Sequence, residues 1–387
     1  MTGEPIRWVG FVLGVAVIAS TLSSLIGSVV VPRGVSSRIT YVLWWSVRVP
    51  FMAIARRRPD FEQQDRMLAL LGPVSLLTLL SGWLLLFLVG FALVLWPLIE
   101  GGFDAALRLS GSSLFTLGFA SAPGGPATVV AFLAAATGLI VVALQIGYLP
   151  TIYAAFNRRE TLMTLLNSRA GEPAWGPELL ARQQFLGNLS TLPALFADWE
   201  QWAADVTETH ANYPWLMSFR SPYRTRSWVI SLLAVLDAAA LYLAVAPERG
   251  PIQARQCLRM GYVGLRTLAR AVGIRVDDDP LPSAPIALRF EEFAKAVDYI
   301  RAAGFPIERS AEESWPDFRG WRVNYEAAAY ALADYLVAVP ALWSGPRSTS
   351  DGTHLPPKRP LDRSPSEPTG KESWRRAPVP PPTSDRS

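Results

Sequence analysis

The stretch "LRLSGSSLFTLGFASAPGGP", Leu107 to Pro126, lies between two long apolar segments and is too polar and too rich in glycine to be a third span. Three runs in the first half of the chain hold no charged side chain: Trp8 to Pro32, Met67 to Ile99 and Ala127 to Leu149. Each is long enough to cross a hydrocarbon core of about 30 Å at about 1.5 Å per residue. Half of the 387 residues are apolar and 18% are charged, which is the composition of a membrane protein. The first run is too long for the core of a secretory leader and is expected to be a retained helix.

Arginines order these runs about a bilayer. Arg33, Arg38, Arg48, Arg56, Arg57, Arg58 and Arg66 lie between the first and second runs, whereas Glu100 to Pro126 holds only Arg108. The positive-inside rule makes the first connection cytoplasmic and the second external. Arg158, Arg159 and Arg169 then lie on the cytoplasmic side, and the N-terminus lies outside. The expected location is the plasma membrane, with three crossings and a cytoplasmic C-terminus. "YVLWWSVRVPFMAIARRR" mixes Trp44 and Trp45 with arginine, which suits a helix lying at the interface.

The external connection has a particular shape. "GFDAALRLSGSSLF" predicts a helix of about 12 residues with Asp104 capping its start, long enough to reach only halfway through a bilayer. The following "TLGFA" must then return outward without helical hydrogen bonding, which is tolerated at membrane depth only where protein buries the backbone or water lines it. A half-helix followed by an extended strand containing glycine is what a carbonyl-lined ion filter requires.

This pattern resembles the pore domain of potassium channels, over about 80 residues from Gly72 to Tyr153. Thr116, Leu117, Gly118, Phe119 and Ala120 fall on the five filter positions, and Ser113 falls where the family has a pore-helix threonine. Ala120 replaces the second filter glycine, Ser121 the acidic residue after it and Phe115 a threonine. A Cβ on a left-handed backbone at Ala120 is expected to cost about 1–2 kcal/mol. "SSLFTLGF" with "GYLPTIYAAFNRRE", Gly147 to Glu160, also resembles a group of bacterial channel-like membrane proteins.

The resemblance implies a homotetramer, since one loop supplies one wall of a filter. It implies a permeant monovalent cation, K+, in place of any cofactor. Gly138, Gly147 and Pro150 are the expected bending points of an inner helix running from Pro126 to Tyr153, and Gln145 is the candidate polar side chain facing the pore. The first span is expected as a peripheral helix whose Gly10 and Gly14 suit close packing. No span carries arginine at every third position, so a voltage-sensing helix is not expected.

The fold class expected is an all-α membrane protein with three transmembrane helices and a re-entrant pore helix. The expected divisions are 1–33 for the first span, 34–66 for a cytoplasmic or interfacial loop, 67–153 for the pore unit, 154–345 for a cytoplasmic helical bundle and 346–387 for a disordered tail. Within the bundle, apolar spacing predicts helices at about 178–186, 193–209, 224–245, 251–272, 289–303 and 320–342. Trp228 to Pro247 is expected as a buried helix of the bundle, with Asp237 paired to Arg220, Arg224 or Arg226.

Other chemistry is thin. Cys257 is alone and His210 and His354 make no zinc cluster. No phosphate loop or nucleophile elbow occurs, so an enzyme is not expected, and arginine beside lipid headgroups accounts for the basic charge without nucleic acid. Membrane lipids are the expected surroundings, and a cytoplasmic ligand is left open. The alternative to a channel is a non-conducting membrane sensor or scaffold that keeps the pore-domain fold.

Overall fold

The structure, a computed structural model, describes residues 4–29, 37–58, 60–347 and 354–358. Among the described residues the regular structure is helical, with only isolated bridges such as Glu172 with Lys358 and no strands. Three stretches, Glu4–Val29, Phe61–Leu95 and Pro126–Ala170, are long and apolar enough to cross a membrane and carry much of that apolar surface on the outside. A fourth, Trp228–Val245, meets the same criterion of length and composition but is wholly buried within protein. The chain divides into two compact units.

The first unit comprises Met1–Ala53 and Leu70–Ala154. Helix α1 (Glu4–Val29) is apolar almost all round, and its small residues Gly10, Gly14, Thr21 and Ser24 form the buried face. That face packs on α4 (Leu71–Leu95) of the same chain, so closely that a Cβ on Gly14 would stand 2.7 Å from the carbonyl of Gly90. Trp83 of α4 donates to the Ser24 hydroxyl at 3.2 Å, and the Thr40 hydroxyl of α2 (Arg38–Ala55) lies 3.4 Å from it on the other side. The outer face of α2 leaves Tyr41, Val42, Trp45 and Val49 exposed.

Helix α5 (Phe103–Leu114) packs on α4, with Ser110 donating to the Leu88 carbonyl at 2.8 Å. Its twelve residues match the expected length, but the cap differs. Gly102 in extended backbone precedes it and Asp104 sits within the first turn, where its charge favours the helix N-terminus without capping. Helix α6 (Pro126–Ala170) is 45 residues long and passes Tyr153 without a break. The stop expected at Tyr153 is absent because "AAFNRRETLMTLL" keeps helix-forming residues in register beyond it.

The second unit comprises Ile54–Ala69 and Ala155–Ser387. It holds α3 (Phe61–Leu68), the last turns of α6, α7 (Gly176–Phe185), α8 (Leu192–Asn212), α9 (Trp228–Val245), α10 (Ile252–Ala271), α11 (Phe290–Ala302), α12 (Ala311–Arg322) and α13 (Glu326–Tyr335). All eighteen residues of α9 are buried, and α7, α10, α12, α13 and α8 surround it. An apolar helix of this length therefore forms the core of the bundle, as expected of Trp228 to Pro247.

Three expectations are corrected here. The helix expected at 320–342 is replaced by α13 alone, Glu326–Tyr335, because α12, opened at "SAEE" by a capping box between Ser310 and Glu313, already ends at Arg322 and the chain turns at residues 323–325. Asp237 pairs with Arg322 rather than with Arg220, Arg224 or Arg226, which bind Asp65, Glu62 and Glu172. The disordered tail expected from Pro346 lies mostly outside the described residues, but its described parts are packed. Arg347 is buried and donates to the carbonyls of Ala338, Val339 and Ser344, and Lys358 pairs through its backbone with Glu172. A guanidinium with several carbonyl acceptors is satisfied in the interior, which a reading of composition alone does not anticipate.

Candidate functional site

The end of α5 closes on itself. The amides of Leu117 and Gly118 both donate to the Ser112 carbonyl, at 2.8 and 3.4 Å, in the manner of a helix C-cap. Ser112, buried, also accepts at its hydroxyl from the Ala120 amide at 2.9 Å. The backbone runs left-handed at Thr116 (φ 53°) and at Gly118 (φ 73°), so the sign of φ alternates from Thr116 to Phe119. Ala120 is not left-handed, and the strain expected there falls on Thr116 instead, at about 1–2 kcal/mol.

Among the described residues, no backbone amide is bonded to the carbonyls of Thr116, Leu117, Gly118 or Phe119. Four successive carbonyls at exposed residues thus take no part in the backbone hydrogen bonding of the chain. An alternation of left- and right-handed residues turns successive N–H groups toward a common side, as the amides of Leu117 and Gly118 are turned toward the Ser112 carbonyl. The side chains of Phe115, Leu117 and Phe119 are exposed in the single chain. Ser113 accepts the Thr116 amide at 3.0 Å through its carbonyl.

The inner-helix residues occupy unlike places. A Cβ on Gly138 would stand 1.8 Å from the Leu114 carbonyl, so α6 passes the end of α5 at a distance that only glycine allows. Gly147 faces open space, and Pro150 is exposed inside a helix that continues through it. Gln145 donates to the Leu80 carbonyl of α4 at 3.0 Å, so its amide joins two helices of one chain. Beside the segment, Glu100, Asp104, Arg108, Ala120 and Ser121 line an open cleft of about 610 Å³.

The run Arg158-Arg159-Glu160 lies in the second unit and its two arginines diverge. Arg158 meets Asp205 of α8 at 3.1 Å on the surface, where such a pair contributes little. Arg159 points inward, 1% exposed, against His210 and Glu160. A second buried group forms around Arg322, which bonds to Asp237, to Glu326 at 2.6 Å, to the Tyr330 hydroxyl and to the Trp343 carbonyl. These contacts satisfy one another, which is the signature of an interior tie. Sequence reasoning missed the contacts of Ser112, Arg159 and Arg322, since each depends on a partner that only the fold brings near.

Among the described residues no group of three or more His, Cys, Asp or Glu side chains could hold a metal ion. Asp277, Asp278 and Asp279 lie at an exposed turn, where Asp278 pairs with Arg270. Burial pushes the Cys257 thiol far above its ordinary range, which leaves it inert as a nucleophile. Compared with protein-family models, curated proteins and solved structures, the chain matches none.

Proposed function

We propose that the protein is a cation channel, or a channel-like protein, of the pore-loop type, in which four copies bring residues 116–120 to a common axis. The carrying observation is the row of four unpaired carbonyls at Thr116, Leu117, Gly118 and Phe119, placed after a 12-residue helix between two long apolar helices. Unpaired carbonyls are costly in an apolar setting unless water or a cation meets them. Rings of such oxygens from four chains replace the hydration shell of a monovalent cation, K+ by the resemblance of "TLGFA" to a potassium filter.

The topology proposed is that of a multi-pass plasma-membrane protein, with the N-terminus outside and the second unit in the cytoplasm. It is supported by the pairing of Glu62 and Asp65, which precede α4, with Arg224 and Arg220, which follow α6. Segments so paired lie on one side of a bilayer, so α4 and α6 cross it in opposite directions.

Cation flux into liposomes holding the purified chain tests the proposal, under a potassium gradient and then a sodium gradient, beside a Gly118→Asp variant. Flux in the parent and none in the variant is the expected result. A well-folded tetramer with no flux in either gradient would leave the second reading, a non-conducting sensor or scaffold built on the same fold, and a monomer in mild detergent would remove the pore.

A further inference from the structure

Arg159 lies on α6 and its guanidinium is enclosed by the second unit. Nη1 donates to Nε2 of His210 at 3.1 Å and to the Leu216 carbonyl at 3.2 Å. Nη2 donates to the Phe219 carbonyl at 2.6 Å and to the Glu160 carboxylate at 2.9 Å. A guanidinium can only donate, so Nε2 of His210 must present its lone pair and the imidazole proton must sit on Nδ1, where the Thr209 hydroxyl lies 2.9 Å away.

His210 itself is fully buried on α8. The charged groups facing it are few. From α6 they are Arg159 and, behind that guanidinium, Glu160. Asp205 of its own helix is engaged by Arg158, α9 presents the ring of Trp228, and the turn after α8 presents the carbonyls of Leu216 and Phe219. Among the described residues the ring nitrogens meet Arg159 and Thr209, and no carboxylate is bonded to them.

We propose that His210 and Arg159 form a latch released by acid. A proton taken up at Nε2 sets two donors and two positive charges against each other across 3.1 Å, and Arg159 then lets go of the turn that it holds through Leu216 and Phe219. Burial and the adjacent guanidinium hold the imidazole well below its ordinary range, so release comes only after a surface histidine has already charged. The latch stands on contacts within the second unit. Its bearing on permeation rests on the pore proposal, because Arg159 shares α6 with Gly138.

The chain's two histidines make the test direct. Nitrogen-labelled histidine in a full-length His354→Gln chain gives ring signals, Nδ1 and Nε2, from His210 alone, while hydrogen exchange on the same sample reads the amides of 214–219 after correction for intrinsic rates. At pH about 6.5 the expected His210 is neutral and protonated on Nδ1, where an exposed histidine is half charged. At lower pH the expected loss of protection over 214–219 is about tenfold or more, with the same midpoint as the His210 signal. His210→Gln, which accepts from Arg159 through its amide oxygen and does not titrate, keeps protection across the range.

An ordinary midpoint for His210 with unchanged protection overturns the latch, as does equal opening in His210→Gln. Should that variant not fold, coincident or separate midpoints in the His354→Gln chain decide the matter. Flux read at the same pH steps separates the two proposals: a latch that opens with unaltered flux stands as a latch and loses its tie to the pore.

Discussion

Gly138 lies against the carbonyl of Leu114, where α6 crosses the C-terminal end of α5. The contact joins the long helix to the last turn before the Thr116–Ala120 segment, so that segment's position depends on a residue that sequence reading assigns to bending. Gly138→Ala would put a methyl 1.8 Å from that oxygen. Backbone must then move, at a cost of about 1–3 kcal/mol or more. Thermal unfolding in detergent is expected to show the loss, whereas Gly147→Ala, facing open space, is expected to be neutral or slightly stabilising.

Ser112→Ala removes the acceptor for the Ala120 amide. A part-buried donor left unpaired costs about 1–3 kcal/mol locally. Faster hydrogen exchange over 117–121, with global unfolding little changed, is the expected outcome. Unaltered exchange there would mean that Ser112 does not hold the segment.

Arg322→Met removes the cation from two buried carboxylates, Asp237 and Glu326, which keep only the Tyr325 hydroxyl and the amides of Ala287 and Leu288 as donors. The expected destabilisation is about 3–5 kcal/mol. Asp237→Asn should cost less, since Glu326 still faces the guanidinium. Chemical denaturation of the two variants side by side checks the order.

Cys257 is buried, so the parent chain should resist thiol reagents. Ser121→Cys and Arg57→Cys each add one exposed thiol. In intact cells a membrane-impermeant maleimide is expected to label the first and not the second. Equal labelling of both would set aside the proposed crossing of α4 and α6.

Stability should fall on acidification, with a sign fixed by His210. Its folded state binds a proton less readily than the unfolded chain, because burial and Arg159 depress the imidazole. The contribution is therefore complete above about pH 6.5, the unfolded value, and is lost as pH drops below it toward the folded value. Unfolding midpoints measured from pH about 7.5 to 5 should decline more steeply in the parent than in His210→Gln.

The helices were legible wherever a single face or run decides them. The twelve residues of α5 follow from local pattern, and so does the enclosure of α9, since Asp237 forbids lipid but allows a buried partner. The identity of that partner was not legible, because Arg322 lies 85 residues away and three nearer arginines compete for the choice. Gly138 shows the same limit: a glycine in an apolar helix reads equally as hinge or crossing until the passing carbonyl is seen. Gln145 likewise reads as pore-facing or interhelical, and its bond to Leu80 selects the second within one chain. Ala120 was weighed on a left-handed backbone that the fold gives to Thr116 and Gly118.

The seam between α1 and α4 bears on the order of events at the ribosome. Helix α1 is made before Gly90 and Trp83 exist. Its hydroxyls are ready for that interval, since Ser20 and Thr21 already bond back to the Val17 carbonyl of their own helix. Ser24 is different, for its hydrogen-bonding neighbours Thr40 and Trp83 are synthesised later. Completion of that small polar cluster thus waits for α2 and α4, and ties α1 to both.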